Sequence, residues 1–167
     1  MDLFDCMPIA ALVANKYLAM HGGISPKLEK LADIDSFSRF KEVPLEGLVC
    51  DLLWSDPASE EQCGEVSDFE HNEDRDCSFV FGKQAVKKVL DANSLTSILR
   101  AHQVQVDGYK MHRFEPPKTS KKALSTSVVS SLDFPSVVTI FSAPNYCGSY
   151  DNKGAFFSLD RGQVKIK

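Results

Sequence analysis

His21 and His102 each close a short apolar run, in Leu18-Ala19-Met20-His21 and Ile98-Leu99-Arg100-Ala101-His102. A histidine projected from a strand's end can aim a ring nitrogen at a shared site, and neutral imidazole is a common ligand for zinc, iron or manganese. Arg75 offers a planar fork that matches a pair of phosphate oxygens better than a lysine does. Asn145 and Tyr146, in Ser142-Ala143-Pro144-Asn145-Tyr146, add neutral hydrogen-bonding groups at another strand end. Two metal-binding nitrogens with a phosphate-clamping arginine suit metal-assisted hydrolysis of a phosphate ester. Each residue alone has a plainer reading. A lone histidine after a strand is more often structural, and an arginine in an acidic loop is more often its counter-charge. The combination is what points to chemistry.

The elements that must position these residues follow from periodicity. Residues 10–13 and 17–20 are apolar runs separated by Ala14-Asn15-Lys16 and read as a β-hairpin that delivers His21 to a loop. Ser25-Pro26 reads as the start of a helix, serine as N-cap and proline at the first helical position, with Leu28, Leu31 and Ile34 as its apolar stripe. A short helical stretch over residues 47–53 ends at the turn signal Trp54-Ser55-Asp56-Pro57, and the acidic segment after Pro57 reads as a long surface loop. Residues 83–93 form the clearest helix, because Val86, Val89 and Leu90 share one face. Residues 95–99 then read as a buried strand, 109–113 as a strand after the Asp107-Gly108 turn, and 137–141 as a central strand of β-branched residues. Residues 115–131, with two prolines followed by lysine, serine and threonine, read as a flexible insertion. A last hairpin turns around Asp160-Arg161-Gly162. Helices and strands alternate, so the fold class is mixed α/β.

With 167 residues, 43% of them apolar and 25% charged, the chain has the size and composition of one soluble globular domain. No apolar stretch reaches the roughly 18 residues needed to span a bilayer, and the acidic N-terminus is unlike a secretory or transit signal. The five cysteines are odd in number and lack a Cys-x-x-Cys pair, which argues against a disulfide framework and for a cytoplasmic, or alternatively nuclear, location. A net charge of −4 gives no reason to expect nucleic acid as partner. Residues 56–76 carry nine acidic side chains and one basic one, whereas residues 110–122 carry five basic and one acidic, runs that most often are solvated surface.

Five stretches resemble the serine/threonine protein phosphatases of the metal-dependent phosphoprotein phosphatase family. They are His21-Gly22-Gly23-Ile24-Ser25-Pro26, Leu52-Leu53-Trp54-Ser55-Asp56-Pro57, Arg100-Ala101-His102-Gln103, Asp107-Gly108-Tyr109 and Ser142-Ala143-Pro144-Asn145-Tyr146-Cys147-Gly148, in the family's order and at roughly its separations. Arg39-Phe40-Lys41-Glu42, the segment from Asn93 to Leu99, and Phe134-Pro135-Ser136-Val137 resemble the calcineurin catalytic subunit most, while Gln103, Asp107 and Cys147-Gly148 are more like the type-1 and type-2A branches.

The resemblance implies a β-sandwich flanked by helices, of which residues 1–167 supply one part, the C-terminal half of the catalytic domain. It implies a dinuclear centre, of manganese or of iron and zinc, with His21 and His102 as ligands of one metal. Arg75 is implied to hold the substrate phosphate, with Tyr146 packed beside that site. Trp54 and Asp56 match residues of the groove floor, and Asn145 and Cys147 lie on the loop that borders the groove. The implied partners are a phosphoprotein substrate and, for a full-length calcineurin-like protein, a calcium-binding regulatory subunit and calmodulin. Two departures stand out. The family usually has glycine after the arginine, where this chain has Asp76, a carboxylate expected to repel phosphate or occupy the guanidinium. The family's Asp-x-His, Gly-Asp-x-x-Asp-Arg-Gly and Gly-Asn-His-Glu stretches, with the general-acid histidine, do not occur in the sequence. The expectation is therefore a phosphatase whose isolated 167-residue chain is inactive; the alternative is a non-catalytic, phosphatase-derived binding or regulatory module.

Overall fold

The computed structural model describes residues 2–114, 134–161 and 163–167, so the expected insertion at 115–131 lies outside the described residues. A short helix α1 (Asp2–Asp5) leads into the hairpin β1 (Ala10–Val13) and β2 (Tyr17–Met20). Its turn is closed by the Lys16 amide on the Val13 carbonyl, and Ala14 and Asn15 both take positive φ, as a hairpin turn of matching twist requires. Helix α2 (Leu48–Trp54), strands β3 (Asp56–Pro57), β4 (Phe69–His71) and β5 (Phe79–Phe81), and helix α3 (Lys83–Asn93) follow. The chain then forms β6 (Ser97–Arg100), β7 (Tyr109–His112), β8 (Val137–Ile140) and a final hairpin of β9 (Phe157–Asp160) and β10 (Gln163–Ile166).

The main sheet has the order β1-β2-β6-β8-β7, with β2, β6 and β8 mutually parallel in its centre. Side chains alternate across it, so each strand serves two cores. Leu18, Met20, Ile98 and Val137 meet Ala85, Val86, Val89 and Leu90 of α3 on one face, together with Leu52 and Phe81. Tyr17, Leu99 and Val138 meet Phe134 and Val164 on the other, with Phe157, Leu159 and Ile166 of the β9–β10 hairpin against them. A sheet covered on both sides reads in sequence as an unbroken apolar run, which is why β6 and β8 are recognisable without alternation.

Two expectations are corrected. No α-helix starts at Ser25-Pro26. Ser25 Oγ accepts from the Lys27 amide at 3.1 Å, as an N-cap would, while its hydroxyl donates to Asp51 Oδ2 at 2.6 Å, but no α-helix follows and only a 3₁₀ turn, Leu31–Asp35, forms downstream. Asp33 Oδ2 accepts from the Glu29 and Lys30 amides, offering the backbone a local alternative to helix. The acidic segment is not all loop: β3, β5 and β4 form a second sheet in that order, and β5 buries Phe81 completely.

Candidate functional site

The carboxyl ends of β2, β6 and β8 lie side by side at one edge of the main sheet, the place where open α/β sheets present ligand sites. His21 follows β2 directly, and the Ala101 amide donates to the His21 carbonyl at 3.0 Å, extending the strand register by one residue. His102 comes next in left-handed conformation, with φ of 59°. Such a φ is uncommon outside glycine and turns the chain sharply. Its Nδ1 ends 3.1 Å from Nε2 of His21. Gly22 bonds its amide to the Leu52 carbonyl at 2.8 Å, and a Cβ there would sit 2.4 Å from the Leu53 carbonyl carbon. Only glycine lets the loop after β2 press against α2, and that contact sets the height of His21. Trp54, the last residue of α2, braces the His102 ring edge-on, with centroids 5.3 Å apart.

Beneath the histidines lies a buried ionic network. The Arg100 side chain is fully buried and donates to Asp56 Oδ1 at 2.8 Å, to the Gly22 carbonyl at 2.6 Å and to Gln103 Oε1 at 2.8 Å. The other oxygen of Asp56 accepts from Arg75 Nε at 3.0 Å and from Asn72 Nδ2 at 3.1 Å. Burial by itself would raise the Asp56 pKa, but Arg100 and the bonds from Arg75 and Asn72 outweigh it and hold the carboxyl below its ordinary range. Desolvation pulls Arg100 down to about 10 against the opposing pull of Asp56, so the guanidinium stays charged. His21 and His102 are both lowered, first by burial and then by the nearby arginines, His102 to about 4, with Asp56 opposing. Both imidazoles are therefore neutral at pH 7, the state in which they can bind a metal.

His21, His102, Trp54, Arg75 and Tyr146 border one cavity of about 670 Å³. The structure thus brings together both histidines, the arginine, the tyrosine and the tryptophan. Asp56 is not groove floor; it is buried under the site as the common counter-charge of Arg75 and Arg100. Asn145 and Cys147 are exposed on the loop after β8, in left-handed conformation, and do not belong to the cavity lining. The Arg75 Nε is held by Asp56, and the neighbouring Asp76 has φ of 54°. Glycine is at ease in that backbone conformation, so the preference for glycine after the arginine has a backbone cause. Arg100 is a site residue that the motifs alone do not single out. Its signal was there: a charge inside a buried run must find a partner. Asn72, in the acidic segment, gave no such signal.

The donor set fits one edge of a metal coordination sphere. The 3.1 Å separation of His102 Nδ1 and His21 Nε2 falls between octahedral and tetrahedral neighbours at bond lengths of about 2.0–2.1 Å. Among the described residues, however, no three His, Cys, Asp or Glu side chains are grouped to hold a metal. Two imidazoles are a partial site.

Comparison with known proteins gives the same direction. A family model described as calcineurin-like phosphoesterase matches residues 1–106. Serine/threonine-protein phosphatase 2B catalytic subunit A1 of Saccharomyces cerevisiae is 40% identical over 172 residues, covering 98% of this chain and 29% of the relative. Subunit A2 of the same organism is 37% identical over 193 residues, with 99% and 29% covered. A solved protein serine/threonine phosphatase from Saccharomyces cerevisiae, with similarity to human phosphatase PP5, matches with a TM-score of 0.72 and 26% identity over 98% of this chain and 47% of that one. The chain spans less than a third of the length of these curated relatives.

Proposed function

Because the chain belongs to the calcineurin-like phosphoesterase family, we propose that it forms part of the active site of a serine/threonine protein phosphatase, acting on phosphoserine and phosphothreonine esters. The observation that carries this reading is the pair of neutral imidazole nitrogens 3.1 Å apart on the wall of a cavity that also holds Arg75. His21 and His102 would hold a metal, manganese or iron and zinc, which when bound supplies charge stabilisation at a phosphoryl oxygen and lowers the pKa of water. Arg75 binds and orients the phosphate through the donors that Asp56 leaves free. Trp54 fixes the plane of His102, and Tyr146 walls the substrate side.

With two ligands among the described residues, the remaining donors must come from other parts of a complete catalytic domain. A phosphoprotein substrate follows from the reaction; a calcium-binding regulatory subunit and calmodulin rest on the likeness to the phosphatase 2B subunits. The incomplete donor set is also what a non-catalytic module would show, so the test separates the two. Phosphoserine-peptide hydrolysis is measured for this chain and for a protein joining it to a complete catalytic domain, each as wild type and His102→Ala. The chain alone is expected to be inactive with or without manganese. The longer protein is expected to be active and to lose about a hundredfold or more in kcat/KM on His102→Ala. Robust turnover by the short chain, or full activity of the His102→Ala protein, overturns the assignment.

A further inference from the structure

The cavity is far larger than a phosphate needs. Its volume of about 670 Å³ falls in the range of about 300–1,000 Å³ that buries a drug-sized ligand. Its charge is one-sided. The lining contains two cations, Arg75 and Lys110, but, among the described residues, no aspartate or glutamate, on a chain with 23 acidic residues and a net charge of −4. A cleft lined by one sign of charge focuses the field and selects ligands of the other sign.

Lys110 and His112 stand two apart on β7 and so face the same side of the sheet. Both line the cavity, with Ser59, Gln105, Phe141 and Tyr150 around them. His112 is buried, held by Thr139 Oγ1 at 2.8 Å from its Nε2 and stacked on Phe114 with an interplanar angle of 26°. Its Nδ1 has no partner among the described residues. The only ion pair of Lys110 among the described residues is with Glu60 at 3.6 Å, whose side chain is 66% exposed. A pair that long and that exposed contributes little and yields to a closer carboxylate. None of these residues has a role in the phosphate chemistry above.

We propose that Lys110 and His112 form a second anion subsite, which recognises an acidic side chain, a carboxylate or a second phosphate, on the same substrate peptide as the phosphorylated residue. The inference rests on the phosphatase reading of the cavity. The sheet order sets the spacing. β7 lies two strands beyond β6, which carries His102, and at about 4.8 Å per strand that is about 10 Å. An extended peptide rises about 3.3 Å per residue, so the acidic side chain belongs about three positions from the phosphoserine.

Fluorescence anisotropy tests this with labelled phosphoserine peptides carrying glutamate, phosphoserine or alanine three positions to either side, titrated at low ionic strength with the His102→Ala form of the protein that joins this chain to a complete catalytic domain, which binds the peptide with little turnover. For one of the two directions, the glutamate peptide is expected to bind about threefold to tenfold tighter than the alanine peptide. A preference for glutamate or for the second phosphate tells which anion the subsite takes. The glutamate-to-alanine ratio should fall toward one in Lys110→Ala and persist in Lys110→Arg, while His112→Gln, which keeps a hydrogen-bonding group, should retain more of it than His112→Phe. Phosphopeptide binding with no acidic preference, or a preference that survives Lys110→Ala, overturns the subsite and leaves the phosphatase reading standing. Failure of every phosphopeptide to bind overturns both.

Discussion

Asp56→Asn removes one charge and almost no volume, and its consequence can be worked out from the contacts it breaks. Asp56 is the counter-charge for an Arg100 side chain that has no exposure to solvent. Its second oxygen anchors Arg75, which is about a quarter exposed. Breaking a buried pair by neutralising one partner leaves an uncompensated charge and costs about 3–5 kcal/mol. The loss at the partly exposed Arg75 adds well under 1 kcal/mol after solvent screening. Against a total stability of about 5–15 kcal/mol, the variant loses a large share of its folding free energy. With a urea slope of about 1–3 kcal/mol per molar, the unfolding midpoint should fall by about 1–5 M. Adding Arg100→Met to Asp56→Asn removes the stranded charge and should recover part of the loss, only part because Arg100 also serves the Gly22 and Ser55 carbonyls. The sign with pH follows from the depressed folded pKa: the stabilisation is present above the ordinary carboxyl value of 3.8 and is lost as pH falls through the lower native one. Asp56→Asn within 1 kcal/mol of wild type at pH 7, or a double variant no more stable than Asp56→Asn, would refute a buried network that holds the site.

Gly22→Ala should destabilise the fold by about 1–3 kcal/mol, because its Cβ would meet the Leu53 and Trp54 backbone at 2.4 and 2.6 Å, and thermal unfolding measures this. The same substitution should weaken manganese or zinc binding in isothermal titration, since the displaced loop carries His21; unchanged stability and binding would show that the loop yields freely. His112 is lowered to about 3, first by burial and then by Lys110 and Arg100, with Asp56 opposing. Between pH 6.5 and about 3 the unfolded chain therefore binds a proton at this residue that the native chain does not, so its contribution to stability falls as pH falls through 6.5 and levels off near 3. Wild type should lose up to about 1.4 kcal/mol more per pH unit than His112→Gln between pH 5.5 and 4 in urea titrations, and parallel curves would show that His112 titrates normally.

What the sequence disclosed and what it withheld divide along physical lines. The β1–β2 hairpin and β8 were legible as short apolar runs bounded by turns, and α3 because its apolar residues repeat at the helical period. The family motifs disclosed which residues gather at the sheet's edge, since His21, His102 and Tyr146 all follow parallel strands. The helix expected from Ser25-Pro26 failed although its stripe was real: Leu28 is buried, and Leu31 and Ile34 pack against the same core. Burial decides that those residues face inward, but the backbone follows other bonds: the Glu29 and Lys30 amides go to the Asp33 side chain, and Ser25, besides accepting from Lys27, is tied to Asp51, 26 residues away. The three-residue strands β4 and β5 are too short to show a period at all. Asp56 shows the deeper limit. Read along the chain it is one carboxylate at the head of an acidic run; in space it is bonded to Asn72, Arg75 and Arg100, 16, 19 and 44 residues away. Its job is to keep two guanidinium groups in place under a pair of neutral histidines. Burial, helped by those guanidinium groups and opposed by Asp56, keeps the imidazoles deprotonated, and with no carboxylate in the lining among the described residues the cavity stays open to anions.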